Sequence, residues 1–334
     1  MTMVSIGDLA RSMMLQRHTT TAKSDLARLA ESLASGRHAD QAAQARGDLG
    51  PLAAIEGALM RIDSWQSAAT SLSGRLGAMQ TALGALRGIA DTQAINLQRL
   101  TNATRADEVD RAARDARDHL DAALGVLNAR FGGQSVFAGT RGDGPAVVST
   151  DVLLDRLWPE VNSAGTAAEV RDRVIAWFED PSGFAAQAYR GGSAQGAIAV
   201  GPGETAGAAV TASDPAIALT LAGLAMAALV DRGLFADRPS ARQMVAEMAG
   251  GVLANGADAR VQLAAGLGST EQRLAEIQAR NAAEHTALGI ARSGMVSADP
   301  FATAADLESA RVQLETLFAI TSRLSGMSLL GYLR

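Results

Sequence analysis

Between Asp306 and Leu324 the apolar positions fall at Leu307, Ala310, Leu314, Leu317, Thr321 and Leu324. The steps alternate between three and four residues, the seam of a coiled-coil helix with one soft position at Thr321. Ser325-Gly326 follows, then an apolar tip, Met327-Ser328-Leu329-Leu330-Gly331-Tyr332-Leu333-Arg334. Chain ends are ordinarily polar and frayed. An apolar tip on a heptad helix is a liability unless other copies or a partner cover it. Burying its Leu, Met and Tyr side chains supplies on the order of 10 kcal/mol gross. Ordering the roughly 30 residues costs about 1–2 kcal/mol each. Such a helix is expected to be unfolded alone and to fold on assembly.

Other seams follow the same logic. The first helical stretch is expected over about Ser5 to Leu33, with Leu9, Met13, Leu15, Leu26, Leu29 and Leu33 as its apolar set and Ser35-Gly36-Arg37 as its stop. A polar linker leads to Gly50-Pro51, where a second helix begins. Its seam runs Leu52, Ile55, Leu59, Ile62, Gln66, Ala69, slips by three to Leu72, and resumes at Leu76, Met79, Leu83 and Leu86. A third helix is expected from about Thr104 to Phe131 on the line Val109, Ala113, Ala116, Leu120, Ala123, Leu127. These internal seams read as the core of an intramolecular bundle, and the terminal seam as an intermolecular one. The predicted assembly residues are Leu9, Met13, Leu26, Leu29 and Leu33 at one end. At the other end they are Leu307, Leu314, Leu317, Leu324, Met327, Leu329, Leu330, Tyr332 and Leu333.

The pattern changes after Phe131. Gly132-Gly133 and Arg141-Gly142-Asp143-Gly144-Pro145 carry turn chemistry. Short helices are expected near 152–161 and 167–178, and strands at 185–190, 197–200 and 205–211. Helix returns at Pro215, capped by Asp214, continues near 240–253, and runs long from Ala257 to about Ser293, where Asp299-Pro300 breaks it. The expected fold is mainly α: a long antiparallel helical rod in which N- and C-terminal helices pair, with a small inserted α+β domain. The limits read from the sequence are 1–50 and 299–334 for the assembly ends, 51–140 and 214–298 for the rod, and 141–213 for the insert.

Composition narrows the function. The formal net charge is −5, which does not suggest a nucleic-acid partner. Without Cys there is no disulfide framework and no thiolate metal site. No apolar run reaches the roughly 18 residues of a membrane span; residues 216–230 come nearest and read as a buried helix. Asp8 and Arg11 interrupt the N-terminal apolar residues, so a cleavable secretory signal is not expected. Asp115 and His119 stand four apart but among Arg114, Arg117, Asp118 and Asp121, a solvated charged face. Glu284-His285 lacks the second His of a zinc peptidase helix. His18 and His38 have no companions at useful spacing. Gly201-Pro202-Gly203 lacks an amide donor that a phosphate loop uses. Neither catalysis nor a cofactor is expected.

Three stretches resemble the flagellin superfamily: Leu29-Ala30-Glu31-Ser32-Leu33-Ala34-Ser35-Gly36-Arg37, the segment from Leu127-Asn128 through Phe137-Ala138-Gly139-Thr140, and the ending Leu324 to Leu333. The ending with Tyr332-Leu333 is similar to that of hook–filament junction subunits, the third hook-associated proteins, while Arg334 is shared with filament flagellins. After the Ser-Gly stop the chain departs from the family, with His38-Ala39-Asp40-Gln41-Ala42-Ala43 carrying a single Asp. The resemblance implies a structural subunit exported unfolded by the flagellar type III system. It would assemble as a ring outside the cell between hook and filament, its terminal helices forming an inner tube. The implied partners are further copies, the neighbouring hook-associated protein, flagellin, and an export chaperone on the C-terminal helix. A filament flagellin is the alternative. A cytoplasmic helical binding protein is the reading from another class.

Overall fold

The computed structural model describes residues 6–100 and 105–332, with side chains described for 10–100 and 105–323. Along the chain come α1 (Ile6–Ser35), α2 (Gln41–Gln44), α3 (Gly50–Gln98) and α4 (Ala106–Leu127), then the short strands β1 (Arg130–Phe131) and β2 (Gln134–Ser135). They are followed by α5 (Thr150–Val161), α6 (Ala167–Glu179), α7 (Phe184–Gln187), β3 (Ile198–Gly201) and β4 (Glu204–Ala206). The chain closes with α8 (Pro215–Asp231), α9 (Pro239–Asn255), α10 (Ala257–Val296) and α11 (Pro300–Tyr332). The fold is mainly α, with long helices and two small antiparallel hairpins. The described residues divide into two compact units, Met1–Ile62 with Ala283–Arg334, and Asp63–Ala282; α3 and α10 each contribute to both.

The second unit is built around α8. Its sequence is apolar on every side, the mark of a helix enclosed on every side, and its residues from Ala216 to Val230 are buried except Leu219. Pro215 opens the helix and the Asp214 carboxylate accepts from the Ala216 N–H at 3.0 Å. Helices α4, α6 and α9 pack on α8, with α5 on α6. The predicted line on α4, from Val109 to Leu127, is buried throughout. So is most of the α3 seam, from Ile62 through Ala69, Leu72, Leu76, Met79, Leu83 and Leu86, and it continues to Ala90 and Leu97.

Small side chains let these helices come close. A methyl group on Gly223 would lie 2.7 Å from Leu253 Cγ of α9, and one on Gly250 would lie 2.9 Å from Leu97 Cβ of α3. Where α3 meets α10, the Arg260 side chain is only 5% exposed. It donates to Asp91 at 2.9 Å and to the Leu253 carbonyl at 3.0 Å, joining α10, α3 and α9.

The segment that most resembles the flagellin superfamily is structural glue. The Asn128 side chain donates to the Val147 carbonyl at 3.2 Å and accepts from the Val147 N–H at 3.0 Å. Phe137 is fully buried, and its carbonyl accepts from Ala212 N–H at 3.0 Å. Gly139 has φ +56°, and a Cβ there would lie 2.2 Å from the Ser193 carbonyl oxygen. These three motif positions thus answer to packing or backbone geometry.

Two local expectations are corrected. The third helix stops at Leu127 rather than Phe131, because Gly132 and Gly133 (φ +58° and +81°) form the two-residue turn of the β1–β2 hairpin, which recruits Arg130 and Phe131 as strand. The strand expected at 185–190 is instead one turn of helix, α7, followed by an isolated bridge from Tyr189 to Val147. Phe184 causes this: fully buried, it stacks on Phe178 at 5.0 Å and meets Trp177 edge-on at 6.2 Å. Strands β3 and β4 lie near the two remaining expected positions and pair antiparallel, with a bulge between Ala199 and Gly201. Segment 141–213, read from the sequence as an insert, sends its apolar side chains into the same core as α4 and α8.

Gly250→Ala is expected to lower unfolding free energy by about 1–3 kcal/mol through overpacking on α3. Gly251→Ala, with nothing within 4 Å of its added methyl, is expected to be neutral or to gain up to roughly 1 kcal/mol of helix propensity. Denaturant melts of the pair check both.

Candidate assembly surface

In the first unit α1 and α11 pack on each other. A backbone clasp sets their register: His38 N–H donates to the Val296 carbonyl at 2.9 Å, and Ala298 N–H to the Gly36 carbonyl at 3.0 Å. Gly36, at φ +67°, ends α1 in the left-handed conformation. Asp299 caps α11, its carboxylate accepting from Phe301 N–H at 2.8 Å. Further along, the Lys23 ammonium lies 5.4 Å from the Phe318 ring centroid, so the two helices run antiparallel. The single Asp of the departing linker has a definite place. Asp40 caps α2 by accepting from Ala43 N–H at 2.9 Å and lies 3.8 Å from Arg28. Ser32 Oγ, buried, accepts from Ala39 N–H at 2.9 Å.

The seam between α1 and α11 is thin. Among the described residues only Ala22, Ser32 and Thr303 are buried in it; Leu15, Leu26, Leu29, Leu307, Ala310, Leu314 and Leu317 are half-buried. The seam predicted from the heptad spacing is therefore occupied by pairing within the chain. Of the other predicted assembly residues, Met13 and Leu33 are exposed. Leu9, Leu324, Met327, Leu329, Leu330 and Tyr332 lie on helix backbone but their side chains fall outside the described ones, and Leu333 lies outside the described residues.

A second apolar set escaped the sequence reading. Met14 is 61% exposed and Phe301 88% exposed, with Val312, Phe318 and Ile320 also open to solvent. Phe301, Val312 and Ile320 sit off the heptad seam, so the seam reading passes over them; Phe318, four residues after Leu314, borders the seam and lies against Lys23 of α1. Phe301 and Val312 are eleven residues apart, which returns to one helix face at about 3.67 residues per turn. Their face of α11 lies away from the Leu307–Leu317 line. The helix pair consequently shows apolar side chains on faces that the pairing leaves uncovered.

The polar candidates are built into the fold. His119 Nδ1 lies 2.7 Å from the Gln93 side-chain oxygen, and Gln93, fully buried, donates through Nε2 to the Ala112 carbonyl at 3.2 Å. This arrangement joins α3 to α4. Among the described residues no group of three or more His, Asp or Glu is placed to hold a metal ion. Among them, too, no helix is long and apolar enough to cross a membrane.

No protein-family model matches the chain, and no curated protein sequence matches it. Among solved structures, a protein of Vibrio parahaemolyticus described as a candidate flagellar hook-associated protein is similar in fold. The TM-score is 0.50 at 12% identity, over 73% of this chain and 95% of that one. At that identity the likeness shows a shared fold.

Leu314→Asp is expected to unpair α11 from α1, because a carboxylate cannot be desolvated in the seam without a partner. Limited proteolysis should then cut α1 and α11 readily while a fragment spanning Asp63–Ala282 survives.

Proposed function

We propose that the chain is a structural subunit of the bacterial flagellum, of the hook-associated type, acting at the junction of hook and filament. The observation that carries this is the set of apolar side chains left exposed on the α1–α11 pair, taken together with the sequence resemblance at Tyr332-Leu333 and a fold similar to that of a protein described as flagellar hook-associated. In this reading the assembly ends, 1–50 and 299–334, associate with further copies, with the adjoining hook-associated protein and with flagellin. Export runs through the flagellar type III system, with a chaperone covering the C-terminal helix until assembly. The role is non-catalytic. Arg334 keeps a filament flagellin as the second reading, and abundance separates the two: a flagellin is the bulk protein of sheared filaments, a junction subunit a trace.

Two experiments test the proposal. Deleting the gene should leave hooks without attached filaments; filaments attached as usual would overturn it. Val312→Asp should leave monomer stability within about 0.5 kcal/mol, as for an exposed site, yet abolish incorporation into the organelle. Normal incorporation would show that this face of α11 is not an interface.

A further inference from the structure

The second unit contains a cavity of about 350 Å3 beside the two hairpins, a size at the lower end of small-ligand pockets (roughly 300–1,000 Å3). Leu72, Phe131, Ile198 and Gly207 supply apolar walls, and Arg75 and Gln195 line it as well. The walls are fixed from behind. The Phe131 ring sits so close to Gly74 that a Cβ there would lie 2.3 Å from its Cζ. Yet Phe131 and Ile198 each remain 41% exposed, so their apolar faces are not used up by packing.

The charge in this cavity is unbalanced. Arg75 is half-buried, and burial pushes its guanidinium below the ordinary arginine range. Its Nη2 donates to the Val136 carbonyl at 3.1 Å and its Nη1 to the Gln195 side-chain oxygen, while its buried Nε–H has no partner. Both acceptors are neutral, and among the described residues no carboxylate pairs with it. Arg242 and Arg260 of the same unit also leave a buried Nε–H without a partner, but each holds a carboxylate, Asp110 and Asp91 respectively. A guanidinium that has lost part of its hydration and faces only neutral acceptors is incompletely compensated, and a carboxylate is its matching partner. Gln195 lies between α7 and β3, in a stretch without helix or strand, flanked by the exposed Ala194 and Gly196. Its side chain can leave Nη1 without disturbing a secondary-structure element.

We propose that this cavity binds a carboxylate carried on a short apolar stem, of the size of glutarate or a glutamate side chain. The carboxylate takes the place of the Gln195 amide oxygen on Arg75, and the stem lies along Phe131 and Ile198. The proposal is independent of the flagellar reading.

Gln195→Glu supplies the missing anion from within the chain and separates this site from general solute effects. Thermal melts of the full chain are run with glutarate and with sodium chloride at matched ionic strength. Glutarate should raise the wild-type melting temperature more than chloride does. Gln195→Glu should melt about 2–4 °C higher without ligand and lose the glutarate-specific rise, whereas stabilisation by solute exclusion acts on both proteins alike. Sedimentation of the two proteins identifies the natural source. Weaker self-association of Gln195→Glu assigns the carboxylate to another copy; unchanged association assigns it to a free small molecule. An equal glutarate response in both proteins, with no stabilisation by Gln195→Glu, would overturn the proposal.

Discussion

With aromatic residues at only 4% of the chain, burial has to come from helices that approach one another closely, and the contacts of α9 with α8 and α3 are where they do so. Gly223 admits Leu253, Gly250 admits the backbone and Leu97 of α3, and alanines fill much of α8 itself. Dispersion and apolar burial over such contacts scale with how near the backbones come. The hairpins, the Asn128–Val147 link and the Arg260 junction all attach to the bundle that this packing creates. Because the core depends on proximity rather than on large side chains, it is sensitive to single methyl groups.

The first unit is organised differently. Its α1 carries Thr19, Thr20 and Thr21 in succession, their hydroxyls turned back to carbonyls four residues earlier, a composition of modest helix propensity. The pairing with α11 covers few of the described residues fully and leaves Phe301, Val312 and Ile320 open to solvent. One chain therefore combines a self-sufficient core with a helix pair whose apolar surface is incompletely satisfied. This division is the physical basis for reading the molecule as a subunit that gains its terminal stability from neighbours.

Much of the helical plan was legible because seams of three and four residues depend only on helix geometry: the Val109–Leu127 line is buried as its spacing demands. The boundaries at Pro51, Pro215 and Pro300 were equally readable, since proline fixes the first turn. What spacing could not reveal were outcomes decided by tertiary context. Phe184 turns an apparent strand into α7 because it meets Trp177 and Phe178, residues of another element. Phe301 and Ile320 are apolar without belonging to a seam, and only the position of α1 determines that they face outward. The Arg75 cavity was invisible for the same reason, as its walls come from α3 and from both hairpins.

Hydrogen exchange by mass spectrometry, compared between the free chain and the assembly proposed for it, tests the central claim most directly. The account predicts fast exchange in α1 and α11 of the free chain beside strong protection in α4 and α8, with α1 and α11 becoming protected on assembly. Protection of α1 and α11 in the free chain equal to that of α8 would contradict it.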